Sequence, residues 1–180
     1  SVAGERVIID SGCGSYQNSA IRACCRGTAA HNVPWINGVE QSEVWGAFRM
    51  GRRVKILLRD YDAGGQAFFC RLQDYRGNVM SRQIRWTYSA IIVEDKLERR
   101  VSAGEFESLI HLHPGIGLRI QDSGLRLLGC KAEVAIKTKC EYSVADSRYY
   151  PQFGPALENK TIRFWGDGEL VVYTFETQSL

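Results

Sequence analysis

The sequence predicts an all-β fold: a large antiparallel β-sandwich of two-layered sheets with little helix. Three observations carry that expectation. Apolar and polar residues alternate through residues 131–144, where Ala132, Val134, Ile136, Thr138, Cys140, Tyr142 and Val144 share one face and Lys131, Glu133, Lys137, Lys139 and Glu141 the other. Short apolar runs recur along the chain between glycine-centred turn signals. Glycine accounts for 18 of 180 residues and proline for only 4, a balance that suits many tight turns.

The elements follow in order. Residues 5–10 (ERVIID) read as a strand beginning almost at the first residue, with Ala3-Gly4-Glu5 as the turn that feeds it. No neighbouring run offers it a hairpin partner, so the expectation is a sheet cut at its N-terminal edge. Residues 17–25 carry a weak helical signal, small side chains with Arg22 among them. Residues 53–58, 68–72, 89–93, 108–113 and 170–175 are strand candidates, and 131–144 supplies one strand or two. Ala63-Gly64-Gly65 and Arg76-Gly77-Asn78 mark turns; Asp122-Ser123-Gly124 and Gly166-Asp167-Gly168 lie between apolar runs and read as hairpins. The segment YYPQFGP at 149–155 is a rigid aromatic–proline stretch expected to pack on a sheet edge. No repeat, linker or low-complexity tract divides the chain, so residues 1–180 read as one domain.

Composition excludes several classes. A chain of 180 residues, 44% of them hydrophobic, buries roughly 70% of its unfolded surface and needs neither metal nor disulfide to fold. With 24% charged and 11% aromatic residues it is no disordered polymer. Its aliphatic runs are short, residues 90–93 being an example, which excludes a transmembrane helix and argues for no membrane partner. The first ten residues lack the basic start and apolar stretch of a signal peptide. A net charge of +3 argues for no nucleic-acid partner but fits an acidic ligand met by a local basic patch. The six cysteines form no C-x-x-C pair, and are expected as buried small hydrophobes rather than a zinc site or disulfide framework.

Few residues offer chemistry. His111 and His113 stand two apart in the strand-like run IHLHP and are expected on one face. An H-x-H on a strand can present two imidazoles to a metal, as in cupin barrels, but no glutamate follows here, and two polar rings on an exposed strand is the favoured reading. A lone histidine such as His31 is more often structural than a ligand. Asp10 ends a strand before a Gly-rich turn, where a carboxylate is often only a cap. Arg49, Arg52, Arg53 and Lys55 form a basic cluster with Trp45 and Phe48 beside it; arginine forks pair with carboxylate or sulfate and rings stack on sugars, although a solvated strand face explains the cluster as well. No phosphate loop, dinucleotide fingerprint or nucleophile elbow is present.

Five ordered segments carry a resemblance: IIDSGCGSY at 8–16, RGTAAHN at 26–32, NGVEQSEVWGAFRMGRR at 37–53, HLHPG at 111–115 and YYPQFG at 149–154. With them the chain resembles the heparinase II/III family of polysaccharide lyases, in particular relatives encoded with bacterial polysaccharide genes. The resemblance implies the family's β-sandwich, here without the (α/α) toroid that precedes it, and an active site lying between the two. It implies two zinc ligands, Asp10 and His31, with a third zinc ligand and a catalytic histidine from a His-x-His element upstream, and Tyr16 as the proton-abstracting base. Pro34-Trp35 and Asn37 depart from the family's usual residues. A lyase of this kind removes the C5 proton of a uronate and expels the O4-linked sugar, so it needs a base, an acid and donors for the carboxylate. The isolated chain would supply one base and part of a zinc site, and is expected to be inactive alone.

The leading expectation is therefore the sandwich portion of a lyase acting on an acidic polysaccharide, with the N-terminal toroid as its partner domain. A second is a non-catalytic glycan-binding module contacting its ligand through Arg49, Arg52, Arg53 and Trp45. A third, less favoured, is a cupin-like metal enzyme built on His31, His111 and His113. Family habit points to a periplasmic or secreted location, with the cytoplasm left open. A cut sheet edge would invite a homodimer.

Overall fold

In a computed structural model of the chain, residues 1–121, 124–166 and 168–178 are described. A short helix α1 (Ala20–Arg26) and a 3-10 turn (Thr28–Ala30) lead into β1 (Pro34–Ile36), β2 (Val44–Trp45), β3 (Arg49–Met50), β4 (Lys55–Asp62), β5 (Ala67–Gln73), β6 (Val79–Trp86) and β7 (Ala90–Arg99). Then follow β8 (Phe106–His111), β9 (Gly117–Gln121), β10 (Gly124–Leu128), β11 (Glu133–Thr138), β12 (Glu141–Tyr149), β13 (Leu157–Trp165) and β14 (Leu170–Gln178). They form an eight-stranded sheet ordered β4-β5-β6-β7-β14-β11-β10-β9, a four-stranded sheet ordered β1-β8-β13-β12, and the small ribbon β2-β3. Every strand pair in them is antiparallel, as the alternation predicted.

The two large sheets pack face to face. Ile36, Phe106, Ile110, Ile162 and Phe164 of the smaller sheet and Met80, Leu97, Val134, Ile136, Val171 and Tyr173 of the larger are buried in one cluster. Phe164 and Tyr173 stack across the layers with ring centroids 4.3 Å apart. Inside this apolar core sits a polar knot. Arg82 binds Asp95 with both prongs of its fork, Nε to Oδ1 at 2.7 Å and Nη2 to Oδ2 at 2.6 Å. Nη2 also donates to Ser108 Oγ at 3.1 Å, and Ser108 meets the Tyr173 hydroxyl at 2.9 Å, so the knot joins both sheets. Burial works against the Arg82 charge, but Asp95 overrides it and holds the guanidinium protonated.

Several expectations are corrected. The 131–144 run, expected as one strand or two, is two whose sheets differ: β11 enters the eight-stranded sheet and β12 the four-stranded one. Residues 166–169 make no hairpin, because β13 and β14 lie in different sheets and the link crosses between layers; Asp167 itself lies outside the described residues. The β9–β10 hairpin is present, with Asp122 and Ser123 of its predicted turn outside the described residues. Residues 5–10 do have a partner. They run beside the end of β8, with Ile8 bridging Leu112, Ile9 N donating to the His111 carbonyl at 3.0 Å and His113 N to the Val7 carbonyl at 2.8 Å. Val7 and Ile9 are thereby buried. The predicted helix starts three residues later, as α1, where the Ser19 hydroxyl caps the Arg22 amide. All six thiols are free, but only Cys25 is buried and Cys24 is exposed.

Candidate functional site

The segments around the first histidine converge at one end of β8. Val7 and Ile9 point inward, which leaves Asp10 at the surface as the chain turns. Asp10 accepts from the Gly12 amide at 3.1 Å. Gly12 needs its left-handed φ of +75°, and a Cβ there would lie 2.0 Å from the Tyr150 carbonyl oxygen. Gly14 is equally confined, since a Cβ would meet the Tyr150 ring at 2.3 Å. The turn is thus moulded on Tyr150.

Helix α1 and the 3-10 turn then bring His31 back. The Glu40 carboxylate accepts from the Thr28 amide at 2.6 Å and the Thr28 hydroxyl at 2.7 Å, which fixes the turn. His31 Nδ1 meets Asp10 Oδ2 at 2.5 Å. That hydrogen bond lowers the Asp10 pKa and raises that of His31, burial opposing both shifts. Asn32 clamps the neighbouring segments: its Nδ2 donates to the Ile9 carbonyl and its Oδ1 accepts from the His111 amide, both at 2.7 Å. Arg82 Nη1 donates to the Asn32 carbonyl at 2.5 Å, tying the site to the polar knot of the core.

The predicted histidine pair is split. His111 is 3% exposed, not on an exposed strand, and its Nδ1 meets Thr161 Oγ1 at 2.7 Å. Burial lowers its pKa, partly offset by the nearby Asp10 charge. His113 is half-buried beyond the end of β8; its Nδ1 accepts from the Gly115 amide and its ring lies 6.1 Å from that of Tyr149. Among the described residues no three His, Cys, Asp or Glu side chains are grouped to hold a metal. The Asp10 carboxylate and His31 imidazole are suitable zinc donors by kind, and they are two.

Tyr16 follows on the same loop, about half exposed. Its ring packs on Phe153 at 4.6 Å and Phe48 at 6.1 Å, with the Arg22 guanidinium 5.0 Å above it. The basic cluster is only partly available. Arg52 pairs with Glu43 at 3.2 Å and stacks on Tyr75, whereas Arg49 and Arg53 are exposed beside exposed Trp45 and Phe48. Sequence reasoning missed what holds this ribbon. Arg22 Nε donates to the Ala47 carbonyl, and Arg26 donates to the Gly46 and Arg49 carbonyls, at 2.6–2.9 Å. It also missed Arg82 and Asp95, whose one visible signal is a charge at an inward position of a β-alternating run.

Comparison with known proteins agrees with the fold. The model of the family described as heparinase II/III-like, C-terminal, matches residues 1–178. Among solved structures the chain is similar to heparan sulfate lyase HepC from Pedobacter heparinus, with a TM-score of 0.74 and 11% identity over 98% of this chain and 29% of that one. It is also similar to a heparinase III, with a TM-score of 0.70 and 13% identity over 97% of this chain and 28% of that one. No curated protein matches by sequence. The chain spans less than a third of the length of these structures, and at such identities they show the fold alone.

Proposed function

The chain belongs to the heparinase II/III-like C-terminal family, and from that premise we propose that it serves, within the full enzyme, a lyase that cleaves an acidic, uronate-containing polysaccharide by β-elimination. The observation that carries this reading is the meeting of Asp10 and His31 at 2.5 Å on the loop that also bears Tyr16. A uronate loses its C5 proton to a base, its carboxylate charge is answered by donors, and the O4-linked sugar leaves. Tyr16 is the base supplied by this chain, its ring oriented by Phe153 and Arg22. Exposed Arg49, Arg53 and Trp45 face the anionic polymer, while Arg52 is spent on Glu43. An N-terminal toroid supplies the remaining groups. Asp10 and His31 would hold zinc together with ligands from elsewhere, and the bound ion would brace the loop.

The test is a lyase assay of the longer gene product on heparan-like, alginate-like and capsular uronate polymers, read by the ultraviolet absorbance of the new double bond. Tyr16→Phe should cut turnover by about 100-fold or more while polymer binding persists. Metal analysis with His31→Ala alongside should show zinc lost in the variant. Binding of polymer with no unsaturated product from any form would instead support a non-catalytic module. The exposure of Trp45 and Phe48 beside exposed Arg49 and Arg53 favours that second reading. The cupin-like alternative has no such support, since His111 and His113 are separately engaged.

A further inference from the structure

Three of the six thiols lie on α1 and on the loop packed beside it. Cys24 and Cys25 are consecutive on the helix, and Cys13 lies on the loop after Asp10, three residues before Tyr16. The other three sit on separate elements: Cys70 within β5, Cys130 between β10 and β11, and Cys140 between β11 and β12, where its sulfur meets the Val172 amide and carbonyl.

The helix decides which of its two thiols faces Cys13. Residues three apart share a helix face, so Arg22 and Cys25 point the same way, while Cys24 is turned aside by about 100°. Arg22 reaches from that face to the loop, its Nη1 donating to Cys13 Sγ at 3.1 Å. Burial raises the Cys25 pKa, the Gly14 amide lowers it, and the Cys24 and Cys13 thiols raise it again, so Gly14 and Cys13 both stand against this sulfur. Cys25 is buried in that contact and Cys24 is left exposed. Gly14, moulded on the Tyr150 ring, keeps the loop in place.

Cys13 is the thiol equipped to react first. It is half-buried rather than sealed, and its own S–H donates to the Ser15 carbonyl at 3.4 Å. A sulfur addressed by a guanidinium, with a second thiol beside it, is the common setting of a redox-active cysteine. The same Arg22 has other partners. Its Nε donates to the Ala47 carbonyl, and its guanidinium lies 5.0 Å from the Tyr16 ring centre and 5.5 Å from that of Phe48. A change at the Cys13 sulfur is therefore felt at Tyr16.

We propose that Cys13 and Cys25 are a redox pair, closed to an internal disulfide by a small-molecule disulfide such as oxidised glutathione, which takes the Cys13 sulfur from Arg22 and binds the Tyr16 loop covalently to α1. The Cys13 thiolate attacks one sulfur of the oxidant, forms a mixed disulfide and expels one thiolate. Cys25 then attacks the Cys13 sulfur and expels the second. The two protein thiols lose two electrons, the oxidant is reduced to two thiols, and the two protons pass to them. Control of turnover by this pair rests on the lyase reading; the bond and its effect on the Tyr16 ring do not.

The test incubates the reduced 180-residue chain with oxidised glutathione under native conditions, alkylates the remaining thiols and maps the products by mass spectrometry. Two of the six thiols should be lost and the mass lowered by two hydrogens. The tryptic fragment with Cys13 should be joined to the one with Cys24 and Cys25, the alkyl group standing on Cys24. Cys24→Ser, an exposed change, should form the same bond. Cys13→Ser, which keeps a hydroxyl for Arg22, should form no internal bond. The NMR ring signals of Tyr16, identified by their loss in Tyr16→Phe, should shift on oxidation and return with reductant. Six free thiols after incubation, a mixed disulfide that stays on Cys13, a bond from Cys24 to Cys25 or to a second chain, or unmoved Tyr16 signals would overturn the proposal. Failure of the lyase reading would show separately, as an absence of unsaturated product with this thiol chemistry intact.

Discussion

Asp10 and His31 each change the other's proton affinity, and the consequences have a definite sign. Protonated His31 is favoured in the folded chain, so its contribution is complete below the ordinary histidine range and is lost as pH rises through the elevated folded value. Ionised Asp10 is favoured likewise, so its share is complete above the ordinary carboxylate range and is lost as pH falls through the depressed value. The pair is therefore strongest at mildly acidic pH, and its exposure keeps the effect on stability small. In metal-stripped protein, NMR titration should find His31 releasing its proton above the ordinary histidine value, and Asp10→Asn should bring it back down. Asp95 is the opposite case, fully buried and bound by both prongs of Arg82. Asp95→Asn leaves a buried cation short of its partner and should cost about 3–5 kcal/mol in denaturant unfolding. The sequence named Asp10 and His31 through a resemblance of segments. It was silent on Asp95 because a buried charge is recognisable only once the strand bearing its partner is placed.

At the scale of elements, the loop after Asp10 shows how little side chain a site loop tolerates. Gly12→Ala forces an unfavourable left-handed φ, costing about 1–2 kcal/mol, and drives a methyl into the Tyr150 carbonyl. It should destabilise the chain and also abolish the elevated His31 pKa, because the Asp10 turn closes on the Gly12 amide. The edge strand β4 poses a different problem. Ile56, Leu57, Leu58 and Tyr61 are exposed along it, yet Lys55, Arg59, Asp60 and Asp62 lie among them and a register shift interrupts its pairing with β5. Charges and irregularity of this kind discourage pairing with a second chain. Replacing both Arg59 and Asp60 with valine should raise the mass seen by light scattering at high concentration, whereas an unchanged mass would show that the charges do not guard the edge. The homodimer expectation rested on a missing first strand; with residues 5–10 paired to β8, β4 is the more exposed place to look.

Over the whole molecule, the fold class was legible because it depends on period and turn chemistry, which are local. The sandwich, the antiparallel pairing and the turns at 63–65 and 76–78 follow from those alone. Which strand joins which sheet was not legible. β11 and β12 share one continuous alternation, and β13 and β14 flank a glycine-rich segment, yet each pair divides between layers, with Phe164 and Tyr173 stacked across the core. The same division sets where the molecule is weakest. Eight strands cover four, so β4 is exposed along its whole length and β5 only half-buried, while β6, β7, β8 and β14 hold the Arg82–Asp95–Ser108–Tyr173 knot and, with β13, many of the deepest side chains. Amides that rest on few buried contacts open locally, and those at the core open only with global unfolding. Native-state hydrogen exchange should therefore find β4 and the adjoining half of β5 exchanging at free energies well below that of global unfolding, independent of Asp95→Asn. The amides of β7, β8 and β14 should exchange at the global value and fall together in that variant. Uniform protection across both groups would mean that the overhanging edge shares the cooperativity of the core, and that something other than the facing sheet supports it.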